Sequence, residues 1–256
     1  MGSVGHNEKQ ENSGVVVQAN QFARSTGSDC TALSAKIIYL LISRIGKESK
    51  LDESGAICVE TDGDEIWSVL GIREHRSTEY LVDLLRTVAK SLFFSITERT
   101  TEMYPWFFHV SFDKTQPKGR IAFKFNPMLN EYLLNQNKNF TQYNLSNIIA
   151  LRSPHSVRLY NLLCSHAYSG EADIDSDDLR FIMNLTKSTC GEDKCPEFWR
   201  MKQRVLDPAI TEINEKTDLC VTMDVRRQSG GIRTLHFVIQ RAAQDMAITQ
   251  ESKAES

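Results

Sequence analysis

Two stretches of this chain share one pattern. GDEIWSVLGI at 63–72 and SDDLRFIMNL at 176–185 match Asp64 with Asp177, Ile66 with Leu179, Val69 with Ile182, Leu70 with Met183 and Ile72 with Leu185. An internal repeat constrains the fold strongly, because each copy must sit in the same supersecondary unit. The surroundings repeat as well. Each stretch opens on acidic residues, as a helix N-terminus favours. Each is preceded by a long amphipathic helix and followed by another helix, then by strands.

The periodicity supports this order. From Thr31, TALSAKIIYLLISRIGK places Leu33, Ile37, Leu40, Leu41 and Ile45 on one side of a helix. AICVE then reads as a short strand. STEYLVDLLRTVAKSLFFSI repeats Leu81, Leu84, Leu85, Val88 and Leu92 at helical spacing, with Glu79, Asp83, Arg86 and Lys90 outward. FFSITER, WFFHVSFD and GRIAFKFN read as an antiparallel sheet. Their aromatics Trp106, Phe107, Phe108, Phe112, Phe123 and Phe125 are expected in its core rather than stacked on bases. NPMLNEYLL is a short helix, and the polar NQNKNFTQ marks a boundary.

The order then restarts with helices SPHSVRLYNLLCSHAY, SDDLRFIMNL and EFWRMKQRVLDPAITEINEKT and a hairpin, LCVTMDV to IRTLHFVIQR. Three helices and a two-stranded hairpin are the order of a winged-helix module. The expected fold class is therefore α+β, with two such modules in tandem. The first is placed at 26–138, for dimerisation and DNA backbone contacts, and the second at 139–243, for the main sequence-specific DNA binding. Flexible tails are expected at 1–25 and 244–256.

Charge matters here locally. The chain has 256 residues and a formal net charge of −3, so no overall basicity announces a polyanion partner. The cations of 195–241 nevertheless form a patch, split between a helix and the hairpin after it. On the helix at 196–216, Phe198, Met201, Val205, Ala209 and Ile213 form an apolar stripe. Arg200, Gln203, Arg204 and Thr211 lie largely away from it, and Lys202 shares the same turns. Pro208 inside this helix predicts a kink, since it cannot donate to the Arg204 carbonyl. Arg226, Arg227 and Arg233 lie near the hairpin tip. A helix-turn-helix puts its second helix in the major groove, and a wing reaches the flanking backbone. Arg and Gln suit bidentate contacts to base edges. A charged helix face alone is ordinarily a solvated face, but helix and wing together, inside a repeated module, point to double-stranded DNA. In the first module the candidate DNA-binding residues are Arg73, His75, Arg76 and Ser77.

These segments resemble the plasmid replication initiators of the Rep_3 type, which bind iterons. ALRSPHSVRLYNLLCSHAY resembles the leading helix of that family's second module, and DLRFIMNL, FWRMKQRVLDPAITEINEKTDLCV and RTLHFVIQR its following segments in order. The match is specific across about 143–241 and rests on order and pattern over 30–135. The resemblance implies two winged-helix domains that bind directly repeated origin DNA, help open it and recruit the host replication initiator and replicative helicase. It also implies a monomer that initiates and a dimer that represses its own promoter.

Other chemistries are set aside. Cys164, His166, Cys190 and Cys195 could be offered to zinc, but their spacing is not a common structural-zinc pattern, and no metal or other cofactor is expected. No phosphate-cradling Gly-rich loop, HExxH or paired nickase histidines occur, so no enzymatic activity is expected. No apolar run approaches the ~20 residues of a membrane span and no signal-peptide core is present, which places the protein in the cytoplasm with its six cysteines as thiols. Two rival readings stay open: a winged-helix transcriptional repressor, and a nickase or primase with an unrecognised site.

Overall fold

A computed structural model describes residues 14–20, 26–28, 31–46, 49–72, 77–96, 100–113, 115, 119–134, 140–186, 194–195, 197–227 and 233–241. The first half contains β1 (Val15–Ala19), β2 (Thr26–Ser28), α1 (Ala32–Ile42), β3 (Cys58–Asp62), α2 (Gly63–Leu70) and α3 (Thr78–Ala89). It continues with β4 (Leu92–Ile96), β5 (Thr101–Pro105), β6 (Phe107–Asp113), β7 (Arg120–Phe125), a 3-10 turn at Pro127–Leu129 and α4 (Asn130–Leu134). Then come β8 (Phe140–Asn144), α5 (Leu145–Ala150), α6 (Pro154–Cys164), β9 (Glu171–Asp175) and α7 (Ser176–Ile182). The last helix is α8 (Phe198–Met201), a π turn (Lys202–Leu206) and α9 (Asp207–Lys216), followed by β10 (Leu219–Arg227) and β11 (Arg233–Arg241).

The repeat seen in the sequence extends into backbone geometry. β3 and β9 show the same alternation of exposed and buried residues. Asp62 caps α2, accepting the Glu65 N–H at 2.9 Å, and Asp175 caps α7, accepting the Asp177 N–H at 2.7 Å. Both helices end on a left-handed residue, Gly71 at φ 69° and Asn184 at φ 59°. The closing bonds correspond: Gly71 N–H to Ser68 O and Ile72 N–H to Trp67 O, against Asn184 N–H to Phe181 O and Leu185 N–H to Arg180 O. Gly and Asn are the residues that tolerate this conformation, so a shared C-cap underlies the shared pattern.

Each module closes with a three-stranded antiparallel sheet, β3-β7-β6 in the first and β9-β11-β10 in the second. Val59 opposite Phe123 corresponds to Ala172 opposite Phe237, and all four are buried. The expected two-stranded hairpin is thus completed by β9. EADID within the acidic run 170–178 is a strand, because alternate residues Ala172 and Ile174 face the core. The expected single sheet of the first half is two, since β5 was not foreseen and pairs with β4 in a separate sheet, β2-β4-β5. Leu92 begins β4 instead of extending the apolar stripe of α3. Of the six sheet aromatics, Trp106, Phe107, Phe123 and Phe125 are buried, Phe112 is partly buried and Phe108 is exposed.

Val15–Ala19 falls within the stretch expected as a tail, yet it is a strand. It pairs antiparallel with β8, and Val16 is fully buried. This ribbon lies against α6. Gln18 Nε2 donates to Asn161 Oδ1, and the Tyr143 hydroxyl donates to the same oxygen at 2.9 Å. Nearby, Asn147 Nδ2 donates to Tyr160 Oη and Asp218 Oδ1, both at 2.8 Å, and the Tyr160 hydroxyl donates to Asp218 Oδ1 at 2.7 Å. Burial holds the Tyr143 and Tyr160 phenols far above the ordinary range, so both stay neutral donors. One continuous cluster of buried apolar side chains runs from Val16 to Ile239, and Phe94 of β4 meets Phe181 of α7 edge-on at 6.5 Å. Residues 1–13, 21–25 and 244–256 of the expected tails lie outside the described residues, as do 135–139 of the polar boundary stretch.

Candidate nucleic-acid interface

The helix at 198–216 is held by one face. Phe198, Met201, Val205, Leu206, Ala209 and Ile213 are buried, while Trp199, Arg200, Gln203 and Arg204 are exposed. At 3.6 residues per turn these four occupy neighbouring positions on the opposite side, with 199 over 203 and 200 over 204. A wide turn precedes Pro208, the residue at which a kink was expected. The Asp207 N–H donates five residues back to the Lys202 carbonyl, closing a π turn whose end meets the proline. Adding width just before Pro208 accommodates the ring and the donor it lacks.

The predicted cations divide by environment. Arg200 Nη2 is 3.8 Å from Glu197 Oε2, a loose pair between two largely exposed side chains that competes little with another partner. Lys202 is only partly exposed, and its Nζ donates to both Asp207 carboxylate oxygens, at 2.7 and 2.8 Å. The Thr211 hydroxyl bonds back to the Asp207 carbonyl at 3.0 Å. In the wing, Arg226 is exposed with Nη1 3.4 Å from Asp173 Oδ1. The backbones of Arg227 and Arg233 face each other on the last rung before the tip, and residues 228–232 lie outside the described residues. In the first module, Arg73, His75 and Arg76 lie outside the described residues. Ser77 is exposed and caps α3, its hydroxyl accepting the Tyr80 N–H at 3.4 Å.

Periodicity alone did not single out two residues that bear on this face. Trp199 follows the buried Phe198 in sequence, and helical geometry sets it on the exposed side. Glu212 is the anchor of the helix. Its carboxylate accepts the Arg152 N–H at 2.8 Å and the Ser153 N–H at 3.2 Å, just before α6, and the Lys216 ammonium at 2.7 Å. Burial pushes the Glu212 acid up, but the Lys216 ammonium and these two backbone amides outweigh it and hold the group at about 2. Lys36 of α1 is buried nearby, its ammonium pushed down by desolvation against the attraction of Glu212. A carboxylate on the outward helix thus ties it to the first turn of α6.

Cys164 is buried and Cys195 partly buried, both free thiols; Cys190 lies outside the described residues. Among the described residues no three His, Cys, Asp or Glu side chains converge as metal ligands. No described helix is long and apolar enough to cross a membrane.

A repeated strand–helix–helix–wing unit with an exposed Arg/Gln helix face in its second copy defines a tandem winged-helix protein. The family model described as "Initiator Replication protein, WH1" matches residues 15–164, and "Initiator Rep protein, WH2" matches 175–239. The chain belongs to this replication initiator family. It is 31% identical over 107 residues to an "Uncharacterized 27.6 kDa protein" of Escherichia coli, a match covering 40% of this chain and 41% of that relative's length. Its fold is similar to that of the Pi initiator protein, solved in complex with iteron DNA, at a TM-score of 0.67 and 19% identity over 90% of this chain and 99% of that one. Domains 2 and 3 of RctB match at a TM-score of 0.49 and 10% identity, over 82% of this chain and 80% of that one.

Proposed function

We infer that the chain initiates plasmid replication by binding directly repeated duplex DNA at an origin. The observation that carries this is the outward face of helix 198–216, with Arg200, Gln203 and Arg204 exposed inside the second winged-helix unit of a replication initiator. In this reading these three side chains read base edges in the major groove, and Arg226, Arg227 and Arg233 of the wing contact phosphate. The first module adds backbone contacts through the segment with Arg73, His75, Arg76 and Ser77, and elsewhere supplies the surface for self-association. The protein opens adjacent DNA without catalysing a bond-breaking step, recruits the host initiator and replicative helicase in the cytoplasm, and as a dimer represses its own promoter.

Footprinting the full chain on DNA flanking its own gene tests the reading. Protection of several direct repeats of about two helical turns, the span of two winged helices on successive grooves, is the expected result. Protection of one inverted repeat and nothing else would leave a repressor instead. Nicking of supercoiled DNA would point to an enzyme.

A further inference from the structure

The exposed face of helix 198–216 carries an aromatic ring beside its cations. Trp199 is 52% exposed, whereas Trp67 and Trp106 are each 6% exposed. Leaving so large an apolar side chain in water forgoes a substantial burial gain, and tryptophan is typical of recognition surfaces. Nor does the ring float. Phe198, 7% exposed and part of the core, meets it edge-on with centroids 5.1 Å apart and planes at 76°. The indole is held in orientation before any partner arrives. One turn along the same line stands Gln203, exposed, while Arg200 and Arg204 form the adjacent line.

We propose that Trp199 is a base-reading residue, its indole packing against the C5-methyl of a thymine in the major groove. The inference rests on the reading of this helix as the DNA-facing one. Among the features that base pairs present in that groove, the thymine methyl is the apolar one, and the others are hydrogen-bond donors and acceptors. An indole face therefore has one complementary target there. Gln203 suits the adenine N6/N7 edge, and Arg200 and Arg204 suit guanine O6/N7. The helix face accordingly divides into an A·T-reading line, Trp199 and Gln203, and a guanine-reading line, Arg200 and Arg204.

Thymine-to-uracil replacement removes the methyl and leaves every hydrogen-bonding group unchanged. The probe is a duplex selected by the full chain from a randomised library, with each thymine replaced in turn. Wild-type affinity is expected to fall about four-fold at one or two positions, the worth of one buried carbon. Trp199→Ala loses that penalty and binds random duplex as wild type does. Acrylamide quenching of the wild type, which acts mainly on the exposed Trp199, falls when the selected duplex is added, a readout that needs no folded variant. The inference is overturned if Trp199→Ala keeps the uracil penalty at every position, or loses affinity equally for selected and random DNA, as a sugar-phosphate contact would. If Arg200→Ala and Arg204→Ala also leave discrimination intact, the helix is not the reading element, and the role of Trp199 falls with it.

Discussion

The third helices of the two modules stand on matching scaffolds but present opposite faces. Helix α3 exposes Glu79, Asp83 and Arg86, and Arg86 Nη1 is already paired with Asp83 Oδ1 at 2.7 Å. The helix at 198–216 exposes Trp199, Arg200, Gln203 and Arg204. Inside, both are alike in kind: Leu81, Leu84, Leu85 and Val88 bury α3, as Phe198, Met201, Val205 and Ala209 bury the other. The core thus specifies the scaffold twice, and exposed positions, which cost little stability to change, specialise one copy. A helix whose acids equal or outnumber its cations gains no net attraction to a phosphate-lined groove unless another part of the module supplies it.

The largest test of this asymmetry is substitution on the two faces. Arg200→Ala or Arg204→Ala is expected to reduce discrimination between selected and random duplex by about 1–3 kcal/mol per lost bidentate contact. Arg86→Ala, which removes one member of an exposed pair, should change it by less than about 1 kcal/mol. Competition binding at fixed salt measures both, and equal effects would erase the proposed division.

Next in size is an acid sensitivity at α6. Burial, with Arg158 nearby, depresses His155 on α6 to about 4 from its ordinary 6.5. A group bound to fewer protons when folded loses stability as pH falls between its unfolded and folded values, here from about 6.5 to about 4. Glu212, at about 2 against 4.5, loses its contribution by the same sign over the next interval down. The urea midpoint of the wild type should fall from pH 6.5 to 4, and His155→Gln should flatten that fall. An unchanged slope would remove His155 from the account.

The smallest effect belongs to the wing. Asp173→Asn removes the carboxylate 3.4 Å from Arg226 and 2.8 Å from His236 Nδ1. Affinity for selected and random duplex alike is expected to rise by less than about 1 kcal/mol, with a steeper salt dependence. A gain confined to the selected sequence would make the wing a base reader.

Much of this architecture is legible in local pattern. The apolar stripes at 81–88 and 198–213, the acid-opened repeat, and the exposure of Arg200, Gln203 and Arg204 follow from helical period alone. Lys202 shows the limit of such reasoning. Its neighbours in sequence mark it as a cation of the same turns, yet the π turn brings Asp207 under its ammonium.

By itself, then, the sequence determined the two modules, their helices and the residues that can face outward, because those depend on spacing within one element. Only the tertiary structure decided what depends on partners far along the chain. EADID is too short and acidic to declare itself a strand until β11 pairs with it. Val15–Ala19 is ordered by β8 at Phe140–Asn144, far along the chain. Glu212 has its role because α6 places two backbone amides against it. Pro208 announced a break in the helix, but the shape of that break was set by buried residues on both sides of it, Met201, Val205, Ala209 and Ile213, which must all reach the same core.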